Sequence, residues 1–167
     1  MELNRLVPDF ELPALDGRLY RLSGCRGKIV VINFWSCECP HSERADKEIL
    51  SALAGWGAGA VLLTVASNKN ESIESIKFAA EARRLPLVLL DETCRVADQF
   101  EAQVTPQVFV VDSQGVLRYR GAVDDASFRK KVPSRFFLFE AVEALLRGDL
   151  PPLAESPPFG CAIVREI

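Results

Sequence analysis

Two cysteines, a proline, a histidine and a serine crowd into the segment Cys37-Glu38-Cys39-Pro40-His41-Ser42. Upstream, Ile29 to Trp35 is an apolar run broken only by Asn33, which reads as a strand buried on both faces. Downstream, Ala45, Ile49, Ala52, Leu53 and Trp56 recur at helical spacing. The cluster therefore sits where a buried strand hands over to an amphipathic helix. A helix that begins at or just after Cys39 sets its sulfur against unpaired backbone N–H groups and the positive end of the helix dipole, and both favour thiolate over thiol. Pro40 suits the first helical turn, and His41 adds a nearby proton-bearing group. A cysteine at the ordinary pKa of about 8.5 is only a few per cent thiolate at pH 7, whereas one lowered to about 6 is roughly 90% thiolate. Cys39 is the candidate nucleophile. Cys37, Cys39 and His41 also form a C-x-C-x-H cluster of Cu(I) or Zn(II) ligand types. Three ligands within five residues of one junction are hard to aim at one ion, so metal binding ranks below thiol chemistry and no cofactor is expected.

The elements that must position this cluster follow from periodicity. Ala60 to Ala66, Leu87 to Leu90 and Val108 to Val111 are further apolar runs bounded by turn residues. Between them, Ile73, Ile76 and Ala80, then Val96 to Phe100, carry helical spacing. Strands alternating with helices imply parallel crossovers. After Val111 the turn chemistry of Asp112-Ser113-Gln114-Gly115 leads straight into Val116 to Arg120, a hairpin, so the sheet is mixed. A last amphipathic helix, about Phe136 to Arg147, ends at Gly148. Residues 149–167 hold Pro151, Pro152, Pro157 and Pro158 and are expected to run as an extended, flexible surface tail. The division is a domain over residues 1–148 and a Pro-rich tail over 149–167.

With 167 residues, half of them hydrophobic (49%), the chain fits one globular domain and is not disordered. A net charge of -3 and the absence of any basic run leave nucleic acid an unexpected partner. No apolar stretch approaches the roughly 20 residues of a membrane span. Met1 to Arg5 lacks an apolar secretory core, so the chain reads as cytoplasmic, or as exported if a leader has been removed. Five cysteines is an odd number, and their spacing points to redox chemistry rather than structural stapling.

Taken together, these segments resemble the thioredoxin fold, and within it the redoxin branch (AhpC/TSA and TlpA-like). Leu22 to Lys28 followed by Ile29 to Trp35 resembles the lead-in to the first central strand, and Cys39-Pro40-His41-Ser42 occupies the C-x-x-C position. Thr105-Pro106 resembles the cis-proline loop, and Gln107 to Asp112 with Gly115 to Gly121 the closing hairpin. The resemblance covers about residues 5 to 147. It implies a three-layer α/β fold with a central mixed sheet flanked by helices, and substrates that are protein or small-molecule thiols and disulfides, with peroxide as an alternative and a cellular thiol as reductant. If Thr105-Pro106 is cis, the Thr105 backbone lies opposite Cys39, ready to pair with an extended substrate strand.

Ser42 departs from the family pattern, because it stands where the second cysteine belongs and the usual internal disulfide cannot form. Cys39 then needs a partner from elsewhere. Cys37 is two residues away but closes a strained ring. Cys161, on the flexible tail, could swing in, as resolving cysteines do in some peroxiredoxins. Cys94 follows a strand expected to end on the same side of the sheet as Cys39. Cys25 reads as structural, Glu38 as solvated, and Arg118 with Arg120 as one solvated face. Three functions stay open: disulfide exchange, thiol peroxidation with a resolving cysteine, and a non-catalytic module binding metal or a partner through Cys37, Cys39 and His41.

Overall fold

The computed structural model describes all 167 residues. Its chain order is β1 (Glu11–Pro13), β2 (Leu19–Arg21), β3 (Ile29–Trp35), α1 (Pro40–Trp56), β4 (Ala60–Ala66), α2 (Ile73–Ala82), β5 (Val88–Leu90), α3 (Arg95–Phe100), β6 (Val104–Thr105), β7 (Gln107–Val111), β8 (Leu117–Gly121), α4 (Phe137–Leu146) and β9 (Cys161–Ala162). The central sheet runs β5-β4-β3-β7-β8. β3 pairs parallel with β4 and antiparallel with β7, which makes the sheet mixed, as the hairpin after Val111 implied. No helix is long and apolar enough to cross a membrane.

Every residue of β3 is buried. Alternation sends Val30, Ile32 and Phe34 to one face, where they meet α3 and the N-terminal segment around Val7 and Phe10. Ile29 and Val31 face the other way, against α1 and α4 through Ala45, Ile49, Leu138 and Val142. Trp35 joins α2 through Ile76, Ala79 and Ala80. The helix ends follow local chemistry. Ser72 caps α2 by accepting the Ser75 N–H at 3.1 Å, and the buried Asp91 carboxylate accepts the Val96 and Ala97 N–H groups at the start of α3.

Two expectations change. Residues 149–167 are extended but not loose. Ser156 is buried, its hydroxyl 2.6 Å from the Tyr119 hydroxyl and 3.0 Å from the Ala122 N–H. The chain passes so close to Gly121 that a Cβ there would lie 2.2 Å from the Ser156 carbonyl. Further on, Ile163 enters the main core and its N–H donates to the Gln103 carbonyl at 2.9 Å. Proline content removes helical options, but it does not stop a segment from finding partners in the folded surface. Arg118 and Arg120 are likewise not a solvated face. Arg118 pairs with Asp112 at 2.7 Å and donates to Asn4, while Arg120 pairs with Glu155 at 3.1 Å and reaches the Met1 carbonyl. The hairpin thus uses both guanidinium groups to hold the chain's two ends.

In the main core, buried Phe100 meets Phe109, Phe34 and Phe10 at centroid separations of 5.0, 5.7 and 5.9 Å. Phe100→Ala is expected to lower unfolding free energy by about 3–5 kcal/mol, read as a drop in the urea midpoint with little change in slope.

Candidate active site

Cys39 is the N-cap of α1, with extended backbone (φ -84°, ψ 120°) and Pro40 immediately inside the helix. Its side chain is only 3% exposed. The Thr105-Pro106 bond is cis, and the Cys39 Sγ lies 3.2 Å from the Thr105 carbonyl oxygen, to which the thiol form donates. Burial pushes the Cys39 thiol up, but the Cys161 thiol, then the N–H groups of Ser42, Cys161 and His41, outweigh it and hold Cys39 below the ordinary cysteine value. No guanidinium or ammonium group is among these partners. The thiolate rests on backbone N–H donors and one neighbouring thiol, as an anion at a helix N-terminus does.

Cys161 reaches this position because β9 pairs antiparallel with β6, setting Cys161 opposite Thr105 and Ala162 opposite Val104. The edge expected to receive a substrate strand is therefore taken by the chain's own C-terminal segment. Gly160 packs onto the cis-proline loop so tightly that a Cβ would lie 2.0 Å from the Thr105 carbonyl. Burial, followed by the hydrogen bond and charge of the Cys39 sulfur, pushes Cys161 up to about 12. The contact between the two sulfurs thus lowers the Cys39 pKa and raises that of Cys161, so that of the two Cys39 is the one that ionises first.

The other sequence candidates separate. Cys37 is turned toward Glu71, and burial, then that carboxylate, push its thiol up to about 12. Its carbonyl accepts from Arg83 at 2.6 Å. Cys94 is buried in the main core, and its thiol donates to the Ser67 carbonyl at 2.9 Å. The His41 ring packs edge-on to Phe159 at 4.7 Å and lies 6.4 Å from Phe128, so its contribution to Cys39 is its backbone N–H. The fully buried Ser42 hydroxyl accepts from the Ser36 N–H at 3.3 Å and fastens the loop. Cys37, Cys39 and His41 thus point in three directions, and no set of three His, Cys, Asp or Glu side chains is placed to hold a metal. Cys25 is half-buried against the main core, and Glu38 is exposed.

Sequence reading missed the supports beneath the loop. Arg83 on the turn after α2 donates to Cys37 and pairs with the buried Asp46 at 3.2 Å, and Asp46 also accepts the Trp35 indole N–H at 2.8 Å. Burial outweighs both partners and pushes Asp46 up to about 6. Glu71 accepts from the Ser36 hydroxyl and, at 3.4 Å, from the Asn68 amide. Asn68 in turn accepts the Val164 N–H at 2.7 Å, tying the loop to the C-terminal segment. Charged residues between periodic segments carry no signal of this kind. A groove of about 800 Å³ between α1 and α2 is lined by Cys37, Leu50, Phe78 and Arg83 but not by Cys39.

The AhpC/TSA family model matches residues 3–120. The thiol:disulfide interchange protein DsbE of Yersinia pestis is 29% identical over 125 residues, covering 73% of this chain and 65% of its own length. The thiol-disulfide oxidoreductase ResA of Geobacillus thermodenitrificans is 26% identical over 112 residues, covering 67% and 64%. The chain thus spans just under two thirds of these relatives' length. A crystal structure of an uncharacterized conserved protein from Geobacillus kaustophilus superposes with a TM-score of 0.88 at 28% identity, covering 99% of this chain and 93% of that one. That coverage takes in nearly all of the C-terminal segment, which the family model does not reach.

Because the Cys39 pKa is depressed, its ultraviolet thiolate absorbance is expected to appear on raising the pH through a midpoint below the ordinary value of about 8.5. The folded state is correspondingly favoured above the ordinary thiol pKa, and loses that advantage as pH falls through the depressed one. Cys39→Ser is expected to abolish the transition, and Cys161→Ala to move it to higher pH.

Proposed function

This chain belongs to the AhpC/TSA family, and from that premise we propose that it is a thiol-disulfide oxidoreductase in which the Cys39 thiolate attacks disulfides of protein or small-molecule substrates. The observation that carries this reading is the buried Cys39 sulfur at the N-terminus of α1, held below the ordinary thiol pKa by backbone N–H groups and a neighbouring thiol. The names of the DsbE and ResA relatives support the same chemistry.

In the proposed step the thiolate attacks one sulfur of the substrate disulfide. A bond forms between Cys39 and that sulfur, the substrate S–S bond breaks, and the other sulfur leaves as a thiolate that takes a proton from water. The N–H groups of His41 and Ser42 stabilise Cys39 as an anion before attack and as a leaving group in the reverse direction. Ser42 has no sulfur, so the mixed disulfide must be opened by a different thiol, and a dithiol reductant restores the starting state.

Turnover is measurable as catalysed reduction of a chromogenic aromatic disulfide by dithiothreitol. Cys39→Ser is expected to fall to the uncatalysed rate, and the wild-type rate to level off with rising pH at the midpoint of the Cys39 thiolate transition. Undiminished turnover by Cys39→Ser removes Cys39 from the mechanism and overturns the reading.

A further inference from the structure

The C-terminal segment is pinned on both sides of Cys161. Before it, Ser156 is locked by Tyr119 and Ala122. After it, Ile163 and Val164 are held by the Gln103 carbonyl and the Asn68 side chain, and Arg165 pairs with Asp98 at 2.8 Å. Between the pins runs a six-residue strap, Pro157 to Ala162, laid along the cis-proline loop. The β6–β9 register sets Cys161 opposite Thr105, whose carbonyl lies 3.2 Å from the Cys39 Sγ, and Gly160 allows the close approach. Both cysteines are free thiols. The strap therefore presents a cysteine to Cys39 from the backbone edge where an extended substrate would present one.

We propose that Cys39 and Cys161 form the redox couple of this protein, an intramolecular disulfide that takes the place of the one Ser42 forbids. The inference rests on the reading of Cys39 as the attacking thiolate. After the first attack, Cys39 is joined to one half of the substrate. The Cys161 sulfur then attacks the Cys39 Sγ, the bond between Cys39 and the substrate half breaks, and that half leaves as a thiolate. Across the two steps the substrate disulfide gains two electrons and becomes two thiols, while the two cysteines lose two electrons and become one disulfide. A dithiol reductant reverses the last state.

The timing is built into the pair. Before the first attack the Cys161 proton serves the Cys39 anion, which helps keep Cys161 from competing for substrate. Once Cys39 is in a mixed disulfide that anion is gone, along with the part of the upward push on Cys161 that it caused. Attack by a neighbour already in place is intramolecular, with an effective concentration far above that of any free thiol. The other cysteines lack this placement, since Cys37 faces Glu71 and Cys94 faces the Ser67 carbonyl.

The test is to mix the reduced protein with one equivalent of glutathione disulfide, quench with acid over a time course, and map each cysteine by mass spectrometry. Wild type is expected to show a brief Cys39–glutathione adduct that gives way to a Cys39–Cys161 disulfide with release of both glutathione thiols. Cys161→Ser retains a hydrogen-bond donor and is expected to stop at the Cys39 adduct, prolonging its lifetime by about a hundred-fold or more. A wild-type adduct that persists as long as that of Cys161→Ser, or that resolves onto Cys37 or Cys94, overturns the Cys161 assignment and leaves the attacking role of Cys39 intact. If no adduct forms on Cys39 in either protein, the attacking role itself is overturned, and the couple with it.

Discussion

A cysteine 3% exposed to solvent yet held below the ordinary thiol pKa is the demanding feature of this molecule, because burying a charge is tolerated only where fixed donors replace the lost water. Two elements supply them at Cys39. The first turn of α1 contributes the His41 and Ser42 N–H groups, and β9 contributes the Cys161 N–H and thiol. The cis-proline loop supplies the carbonyl that receives the proton in the thiol form. Apart from the Cys161 thiol these donors are backbone N–H groups, so their positions are as fixed as the chain that carries them.

That dependence explains why so much of the fold converges here. β3 is buried along its whole length and delivers Trp35, Ser36 and Cys37 to the sheet's end without freedom to shift. Trp35, Asp46 and Arg83 then fix the loop from below, and Ser36, Glu71 and Asn68 fix it from the side. The Asp46–Arg83 pair is partly a burden, since burial lifts Asp46 to about 6 in spite of its partners. Its service is positional, for Arg83 spends a second donor on the Cys37 carbonyl. The same logic governs the chain's far end, where Asn68 links the loop network to Val164.

Much of this was legible in the residues. The central strands, the hairpin and the four helices follow from periodicity and turn chemistry, and their boundaries in the structure differ by a few residues at most. Membership in the AhpC/TSA family and the thioredoxin-like layers follow from the order of Cys39-Pro40-His41-Ser42, Thr105-Pro106 and the closing hairpin. β1, β2, β6 and β9 were not legible, because two or three residues are too few to show an alternation. The looseness expected of the tail is corrected, as its anchors are contacts with Tyr119, Gln103 and Asn68, all distant in sequence.

Sequence alone determined that Cys39 would stand at a strand-to-helix junction, because burial periodicity and capping preferences are local and are written in consecutive residues. It determined also that no sulfur at position 42 could answer it. Which thiol does stand beside Cys39 was decided only by the tertiary structure. Cys37, Cys94 and Cys161 were equivalent as residue types, and backbone direction separates them. Cys37 is turned toward Glu71, Cys94 packs into the core against Ser67, and Cys161 is carried to Thr105 by strand pairing between segments 56 residues apart. Pairing of that range depends on the whole chain having folded, so no window of sequence around either cysteine contains it.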